Sequence, residues 1–557
     1  MSIKNLLQTR VADALKECGV QASDVKLEHP AELSHGDYAT GVALQYAKQA
    51  GTAPRALAEK VVAALGSIEG IAKVDIAGPG FINFLLAPSA VAASLETARS
   101  EDTWGANAQL QGEEILLEYT SPNLFKPLHI GNLVGNILGE SVSRLLQFSG
   151  ASVRRINYPS DIGLTVAKGV WGLKKTGGDP NDIKALGEAY RSGNEAYEAD
   201  AAAKAEIDVV NKRIYEGDTE LNALRKVGVA TSLSHLEAIC KQLGTTFDFE
   251  LFESEAGPVG RDIVLAHMGD VFQRSDGAVI FPGEQYGLHT RVFVNSAGLP
   301  TYEAKDVGNF KLKTDKFPQW SRYIVVTGVE QLEYFKVLFA AIRKIFPEAA
   351  SKSIRHIPTG FLTLTTGKMS SRKGNVLTGE SLLSELGESA KERATESRAD
   401  DKELLSETVA VAAIKYQILK QGSGKNIVFD KEKSLSLEGD SGPYLQYAHA
   451  RSHQIVERAK KEHVTPAVDP GAEPNDVSRL LHRFPEVVEN AATLMEPHVL
   501  TNYLIALAGR FNSWYAQEQI LDGTRLLLTR SRWSTLFAER SRMGFGYWAF
   551  RPQRRCN

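Results

Sequence analysis

At 557 residues the chain has room for about three domains of roughly 150 residues, and an apolar share of 43% supplies real cores. A net charge of −3 excludes a globally basic surface, so any nucleic-acid partner has to be met by local patches. Cys18, Cys240 and Cys556 are too few and too far apart for a disulfide framework or paired-cysteine zinc site, which fits a reducing cytoplasm, and no apolar run reaches the roughly 18 residues a membrane span needs.

The opening Met-Ser-Ile-Lys-Asn-Leu-Leu reads as the start of an amphipathic helix, not as a signal peptide. Residues 1–110 read as a small α+β domain, with helices over about 3–18, 40–49, 54–65 and 89–99. Short strands fit about 72–76 and 80–86, around a Gly78-Pro79-Gly80 turn. A second domain is expected over about 111–377. It opens with Glu114-Ile-Leu-Leu-Glu-Tyr119 as a buried strand, followed by a Pro-bounded loop. The next segment is helical, with Val134, Leu138, Val142 and Leu145 on one face and Gly150 at its end. Ser152–Tyr158 then forms a strand, which completes a strand–loop–helix–strand unit of the kind that binds nucleotides. A long insertion follows at about 170–300, helical over about 182–243, then strand-like at about 271–274, 278–281 and 290–294. Tyr323-Ile-Val-Val-Thr327 marks the return to the sheet, Glu330–Ile345 a helix, and Phe361-Leu-Thr-Leu364 a further strand. From about 378 to 557 the pattern is mostly helical, broken by a Pro- and acid-rich loop at Thr465–Asp476.

Three groups of residues carry chemistry. His129 and Gly131 sit where the helix begins, and free N–H groups and the positive dipole end there suit a phosphate. Gly131, Gly135 and Gly139 form a bare stripe, which fits either close approach of a ligand or tight helix–sheet packing. Gly367-Lys368-Met369-Ser370-Ser371-Arg372-Lys373-Gly374 packs three cations and two hydroxyls into one loop, able to close over a polyphosphate as it gains charge. Alone, such a turn is more often merely solvated. It is not a Walker loop, because Gly360 is too distant and Met369 stands where Ser or Thr is needed. Glu118, Asn123, Tyr302 and Asp306 form the third group. Two acids near the nucleotide loop could hold a cation, and carboxylates pair with a guanidinium through two parallel hydrogen bonds that lysine cannot copy. Singly, each acid is more often a surface or capping group. The sequence shows no metal-ligand motif and no Gly-x-Ser-x-Gly elbow.

His129-Ile-Gly-Asn132 and Lys368-Met-Ser-Ser-Arg-Lys373, in this order and flanked by Ser121-Pro-Asn-Leu-Phe-Lys-Pro127, resemble the two signatures of class I aminoacyl-tRNA synthetases. The match is to the arginyl-tRNA synthetase family and runs to about Arg530. Gly36-Asp-Tyr-Ala-Thr40 and Gly78-Pro-Gly-Phe-Ile-Asn83 resemble that family's N-terminal domain, and Asp161-Ile-Gly-Leu164 a segment after the next strand. Ser441–Arg451 and Asn502–Asn512 resemble its anticodon-binding domain. The resemblance implies an α/β fold: a Rossmann-type parallel-sheet catalytic domain, an N-terminal α+β domain that contacts tRNA, and a C-terminal all-α domain. It implies ligation of L-arginine to tRNA(Arg) with ATP and Mg²⁺, through an arginyl-adenylate, by a cytoplasmic monomer that needs bound tRNA for the first step. By the same resemblance, Glu118, Ser121, Asn123 and Asn132 contact arginine, with Tyr302 and Asp306 around its guanidinium and Gln331 in the same pocket. His129, Gly131 and Asn132 hold ATP, and Lys368, Met369, Ser370, Ser371, Arg372 and Lys373 close over its phosphates. A pocket of paired acids rejects wrong amino acids without editing, so no editing domain is expected in the insertion. The alternatives are a class I ligase for another amino acid and a non-catalytic tRNA-binding relative.

Three features depart from the family pattern. Asn132 replaces the second histidine of His-Ile-Gly-His and cannot be protonated. Ser371 stands where many class I enzymes have a lysine, with Arg372 and Lys373 beside it to compensate. Residues 531–557 hold six arginines, one acid and interleaved aromatics in place of a final amphipathic helix. That end reads either as an RNA-binding tail, since arginine and aromatics stack on bases, or as an altered C-terminus. The abrupt loss of helical pattern favours the second.

Overall fold

The computed structural model describes residues 2–365, 378–393, 401–463 and 470–517. The chain divides into two compact units. One joins Met1–Ala106 to Ala448–Val488 and to the described part of Tyr503–Arg542; the other is built mainly from Asn107–Tyr447.

The first unit contains the α+β domain. Helix Ile3–Glu17 starts where the Ser2 hydroxyl caps the Asn5 amide, and helices Pro54–Leu65 and Pro88–Ser100 start on prolines whose missing N–H costs nothing there. They pack on an antiparallel sheet ordered Tyr38–Thr40, Phe81–Leu86, Ile71–Ala77. Strand Tyr38–Thr40 takes the start of the helix expected at 40–49, which shortens to Val42–Tyr46. The side chains of Tyr38, Ala39 and Thr40 are all buried, and the segment pairs with Phe84, Asn83 and Ile82.

Asp37, just before that strand, is fully buried. Its Oδ2 accepts from the Leu86 amide at 2.8 Å and from Arg479 Nη1 at 2.5 Å. Arg479 lies on helix Asp476–Leu494. From the same helix Glu486 accepts the Tyr38 hydroxyl at 2.6 Å, and Arg483 donates to the Pro30 carbonyl at 3.0 Å. Trp104 stacks on Phe484 with ring centroids 5.2 Å apart. The Gly36-Asp-Tyr-Ala-Thr40 segment thus ties the α+β domain to this helix.

In the second unit the sheet is five-stranded and parallel throughout. In chain order its elements are β1 (Glu114–Glu118), α1 (Ile130–Phe148), β2 (Ser152–Asn157), β3 (Phe249–Glu250), α2 (Tyr302–Lys316), β4 (Trp320–Gly328), α3 (Leu332–Ile345) and β5 (Ser353–Thr359). The spatial order is β5-β4-β1-β2-β3. The chain runs outward from β1 to β3, then returns to build β4 and β5 on the other side. The switch point therefore lies between β1 and β4, where ligands of such sheets bind at the carboxyl ends. Ile115–Leu117 in β1 and Tyr323–Val326 in β4 are continuous apolar runs because both faces are covered there.

The region expected as one insertion is two, separated by β3. Helices Leu164–Thr176, Ile183–Ala199, Ala201–Tyr215 and Thr219–Leu243 precede β3. Helix Glu253–Ala266 and an antiparallel meander (Gln273–Ser275, Ala278–Phe281, Arg291–Val294) follow it. The further strand also differs. Leu362–Leu364 is extended but pairs with Ile427–Phe429 outside the main sheet, whose edge is β5. Proline is tolerated at an edge, and Arg355, His356 and Pro358 hide the strand pattern there. Helices Gly379–Arg393, Lys402–Leu419, Gly442–Lys461, Asp476–Leu494 and Pro497–Gln517, with the short helix Lys431–Ser434 and strand Ile427–Phe429, make up the described part of the helical region. The atypical 531–557 end lies outside the described residues.

Replacing Asp37 with alanine leaves Arg479 buried without its partner and the Leu86 amide without an acceptor. A loss of about 3–5 kcal/mol is expected in chemical denaturation, against less than about 1 kcal/mol for Lys73→Ala, which removes an exposed pair with Asp75.

Candidate active site

The chain leaves β1 through a turn of unusual conformation. Thr120, Ser121 and Phe125 have φ of 74°, 37° and 67°. Residues with side chains in this left-handed region cost about 1–3 kcal/mol each and persist only where the surroundings impose it. Here they do. The Asn132 amide donates to the Thr120 carbonyl at 3.0 Å, and the Asn136 amide to the Thr120 hydroxyl at 2.9 Å. The Phe125 amide donates to the Ser232 hydroxyl at 3.1 Å, from the first inserted region. Ser160 clasps the loop from β2, donating to the Pro122 carbonyl at 2.9 Å and accepting from the Leu124 amide at 3.1 Å. Asn132, the departure from the signature, is therefore an internal tie that needs a donor, not a proton.

His129 caps α1. Its Nδ1 accepts the Gly131 amide at 3.1 Å. Burial first, then the neighbouring Lys126 charge, holds the imidazole below its ordinary pKa. The ring is thus neutral at pH 7, and because Nδ1 is an acceptor, Nε2 carries the proton. A helix N-terminus and a histidine N–H stand together there.

Between the carboxyl ends of β1 and β4 lies a cleft of roughly 350 Å³, of the size that holds small ligands. Thr120, Ser121, His129, Gly131, Asn132 and Gly135 line one side, and Thr327, Gly328, Glu330 and Gln331 the other, with Gly360–Thr363 below. Of the expected site residues, the structure brings Ser121, His129, Gly131, Asn132 and Gln331 to this cleft. Asn123 instead lines a small neighbouring cavity with Lys126 and His235. Tyr302 is 54% exposed at the start of α2, with Lys305 Nζ 5.0 Å from its ring centroid. Lys368, Met369, Ser370, Ser371, Arg372 and Lys373 lie outside the described residues.

The two acids are electrostatic neighbours. Glu118 receives the Ser121 hydroxyl at 3.2 Å, which links it to the cleft wall, and the Asn309 amide at 3.0 Å. It also forms an ion pair with Lys313. Asp306 accepts the Tyr334 hydroxyl at 2.5 Å. Burial, and next the Glu118 charge, push the Asp306 carboxyl up to about 8. A carboxyl in that state gains from a cation. Lys313 and Asn309 were not singled out in the sequence. The available signal was spacing: 302, 306, 309 and 313 fall on one face of α2.

The glycine stripe divides. A side chain at Gly139 would collide with the Tyr119 ring, so that glycine serves packing. At Gly135 an added Cβ meets nothing within 4 Å, and the residue faces the cleft. Gly139→Ala should cost about 1–3 kcal/mol in thermal or denaturant unfolding. Gly135→Ala should leave stability within about 0.5 kcal/mol or raise it, while raising the KM for the nucleotide.

Comparison with known proteins accords with this geometry. The family model described as "tRNA synthetases class I (R), catalytic domain" matches residues 95–431, "Arginyl tRNA synthetase N terminal domain" residues 5–86, and "DALR anticodon binding domain" residues 445–536. The arginine–tRNA ligase of Borreliella burgdorferi is 30% identical over 457 residues, 78% of each chain. That of Treponema denticola is 29% identical over 566 residues, 95% of each chain. In fold, the chain is similar to Thermus thermophilus arginyl-tRNA synthetase, with a TM-score of 0.83 at 24% identity over 99% of this chain and 100% of that one. The chain belongs to the arginyl-tRNA synthetase family of class I aminoacyl-tRNA ligases.

Proposed function

We propose that this chain is an arginine–tRNA ligase whose switch-point cleft activates L-arginine with ATP and transfers it to the 3′-terminal adenosine of tRNA(Arg). One observation carries the reading: the strand-to-helix loop has a helix N-terminus with a histidine donor at one end and, at the other, Glu118 with the buried Asp306 carboxyl as its electrostatic neighbour. The first suits a phosphate, the second a cationic side chain.

In the first step the arginine carboxylate attacks the α-phosphate of ATP and pyrophosphate leaves. In the second a hydroxyl of the terminal adenosine, the 2′-hydroxyl in this class, attacks the activated carbonyl and AMP leaves. Neither step needs a protein nucleophile. Positioning and charge stabilisation supply the rate. His129 Nε2–H and the Gly131 end of α1 hold phosphate oxygens. Asn132 keeps the Thr120–Ser121 turn in shape beside them. Lys368, Arg372 and Lys373, with Met369, Ser370 and Ser371, close over the leaving pyrophosphate. Asp306 receives the guanidinium, with Tyr302 and Gln331 on its approach and Ser121 and Asn123 on the loop side, where Glu118 backs them by accepting the Ser121 hydroxyl. Magnesium on the ATP phosphates would supply neutralisation of their charge. We propose further that the enzyme works as a monomer in the cytoplasm.

Asp306→Asn tests the amino-acid side. The KM for arginine should rise about 100-fold or more in tRNA-dependent pyrophosphate exchange, the scale of a lost charged hydrogen-bond pair. The KM for ATP should stay within about threefold; an equal rise in both contradicts the reading. The pH dependence has a definite sign. Glu118, Glu253, Lys313 and the hydroxyls of Tyr158 and Tyr334 surround the Asp306 carboxyl. With its pKa raised to about 8, it is protonated in the free enzyme at lower pH, and arginine must displace that proton. Arginine binding should therefore weaken by up to about tenfold per unit as pH falls from 8 to 6. Asp306→Asn should lose that slope.

A further inference from the structure

The acid pair is not symmetrical. Lys313 is 0% exposed, on the last turn of α2, and its ammonium is paired with Glu118. It lies 3.4 Å from the Tyr323 hydroxyl and 5.3 Å from the Tyr158 ring centroid. Wherever the shared proton sits, the Glu118–Lys313 pair sums to zero charge. Asp306 makes no ion pair among the described residues: its hydrogen bond comes from a neutral tyrosine, and Lys313 acts on it only as a more distant charge. Beside the pair, two buried polar atoms lack a partner among the described residues: Asn309 Oδ1, on a residue 2% exposed, and the hydroxyl of Tyr158, 6% exposed. Asn309 spends its amide N–H on Glu118, so its oxygen is left to accept. An unmatched carboxylate with unused acceptors beside it is the complement of a planar cation rich in N–H donors.

We propose that Lys313 is the positioning residue of the arginine pocket: it consumes the charge of Glu118, so that Asp306 alone carries the charge that the guanidinium matches, while Asn309 Oδ1 and the Tyr158 hydroxyl accept its remaining N–H groups. This deepens the arginine–tRNA ligase reading and rests on it. Glu118 then serves the substrate through Lys313, as a wall that holds Asn309 and Ser121 in place. The pocket admits one positive charge, and a second carboxylate does not compete for it.

Charge-pair exchange tests the proposal. Glu118→Gln strands Lys313, whose ammonium then turns to Asp306 and excludes arginine. The KM for arginine should rise about 100-fold, as when one partner of a buried pair is removed. The double variant Glu118→Gln/Lys313→Met removes both charges, a change that buried pairs tolerate. It should bring the arginine KM back to within about tenfold of the parent. Asn309→Ala should raise it about tenfold. The KM for ATP should stay within about threefold in all three. A double variant no better than Glu118→Gln, or an Asn309→Ala protein with unchanged arginine KM, overturns the proposal while a selective effect of Asp306→Asn leaves the pocket itself standing. If Asp306→Asn also affects both substrates alike, the underlying reading falls with it. Should the double variant melt below assay temperature, Asn309→Ala decides.

Discussion

The turn from Glu118 to Phe125 is held against its own conformational preference. Three side-chain-bearing residues sit at positive φ, and the bonds that keep them there come from three directions: Asn132 and Asn136 on α1, Ser160 after β2, and Ser232 on the inserted helix Thr219–Leu243. Because these ties converge, the end of β1 and the start of α1 are fixed to each other. That fixes where His129 and the helix dipole stand relative to Glu118 and Ser121. The inserted helices are part of the device. Phe125 is fully buried, and Gly228 is bare where its ring lies. The inserted helices thus shape the loop from behind.

Charge in this region is buried in compensated sets. Asp161 accepts from Arg225 at 2.9 Å and from the Ser254 amide, and Lys305 pairs with Glu253 at 2.5 Å. Such pairs add little net stability, since desolvation offsets most of the attraction. Their use is to define positions. Asp161 joins the loop after β2 to both inserted regions, and Glu253–Lys305 fastens the second to α2. Against that background the uncompensated Asp306 stands out. A wrong amino acid would leave it and its neighbouring acceptors unpaired, and that is the physical basis on which a polar pocket discriminates without a second sieve.

Much of this was legible in the residues. The order strand, loop, helix, strand at 114–158 follows from apolar periodicity and turn residues, and the motif pair around His129 and Lys368 led to the family. What stayed hidden was hidden for physical reasons. Strand β3 is two residues long and has no period to detect. Strand β5 carries arginine, histidine and proline because an edge tolerates them, so it had no strand pattern to read, whereas the strand at Leu362–Leu364 did. The helix expected at 40–49 lost its first residue to the buried strand Tyr38–Thr40, whose tertiary pairing with Phe81–Leu86 outweighed local propensity, and runs only over Val42–Tyr46. Asn132 read as a residue that cannot be protonated where the signature has a histidine; its tie to Thr120 spans a fold that composition cannot show. Lys313 and Asn309 resembled ordinary positions on a Lys-rich helix. Only the packing of α2 against β1 turns them toward Glu118.

The central claim is that the chain activates arginine and no other amino acid, through a pocket with one unmatched carboxylate. Pyrophosphate exchange with a panel of amino acids, run with and without total tRNA, tests it most directly. The account predicts exchange with arginine alone, and only when tRNA is present. Exchange supported by a different amino acid, or none at all from a protein that still binds tRNA, would contradict it.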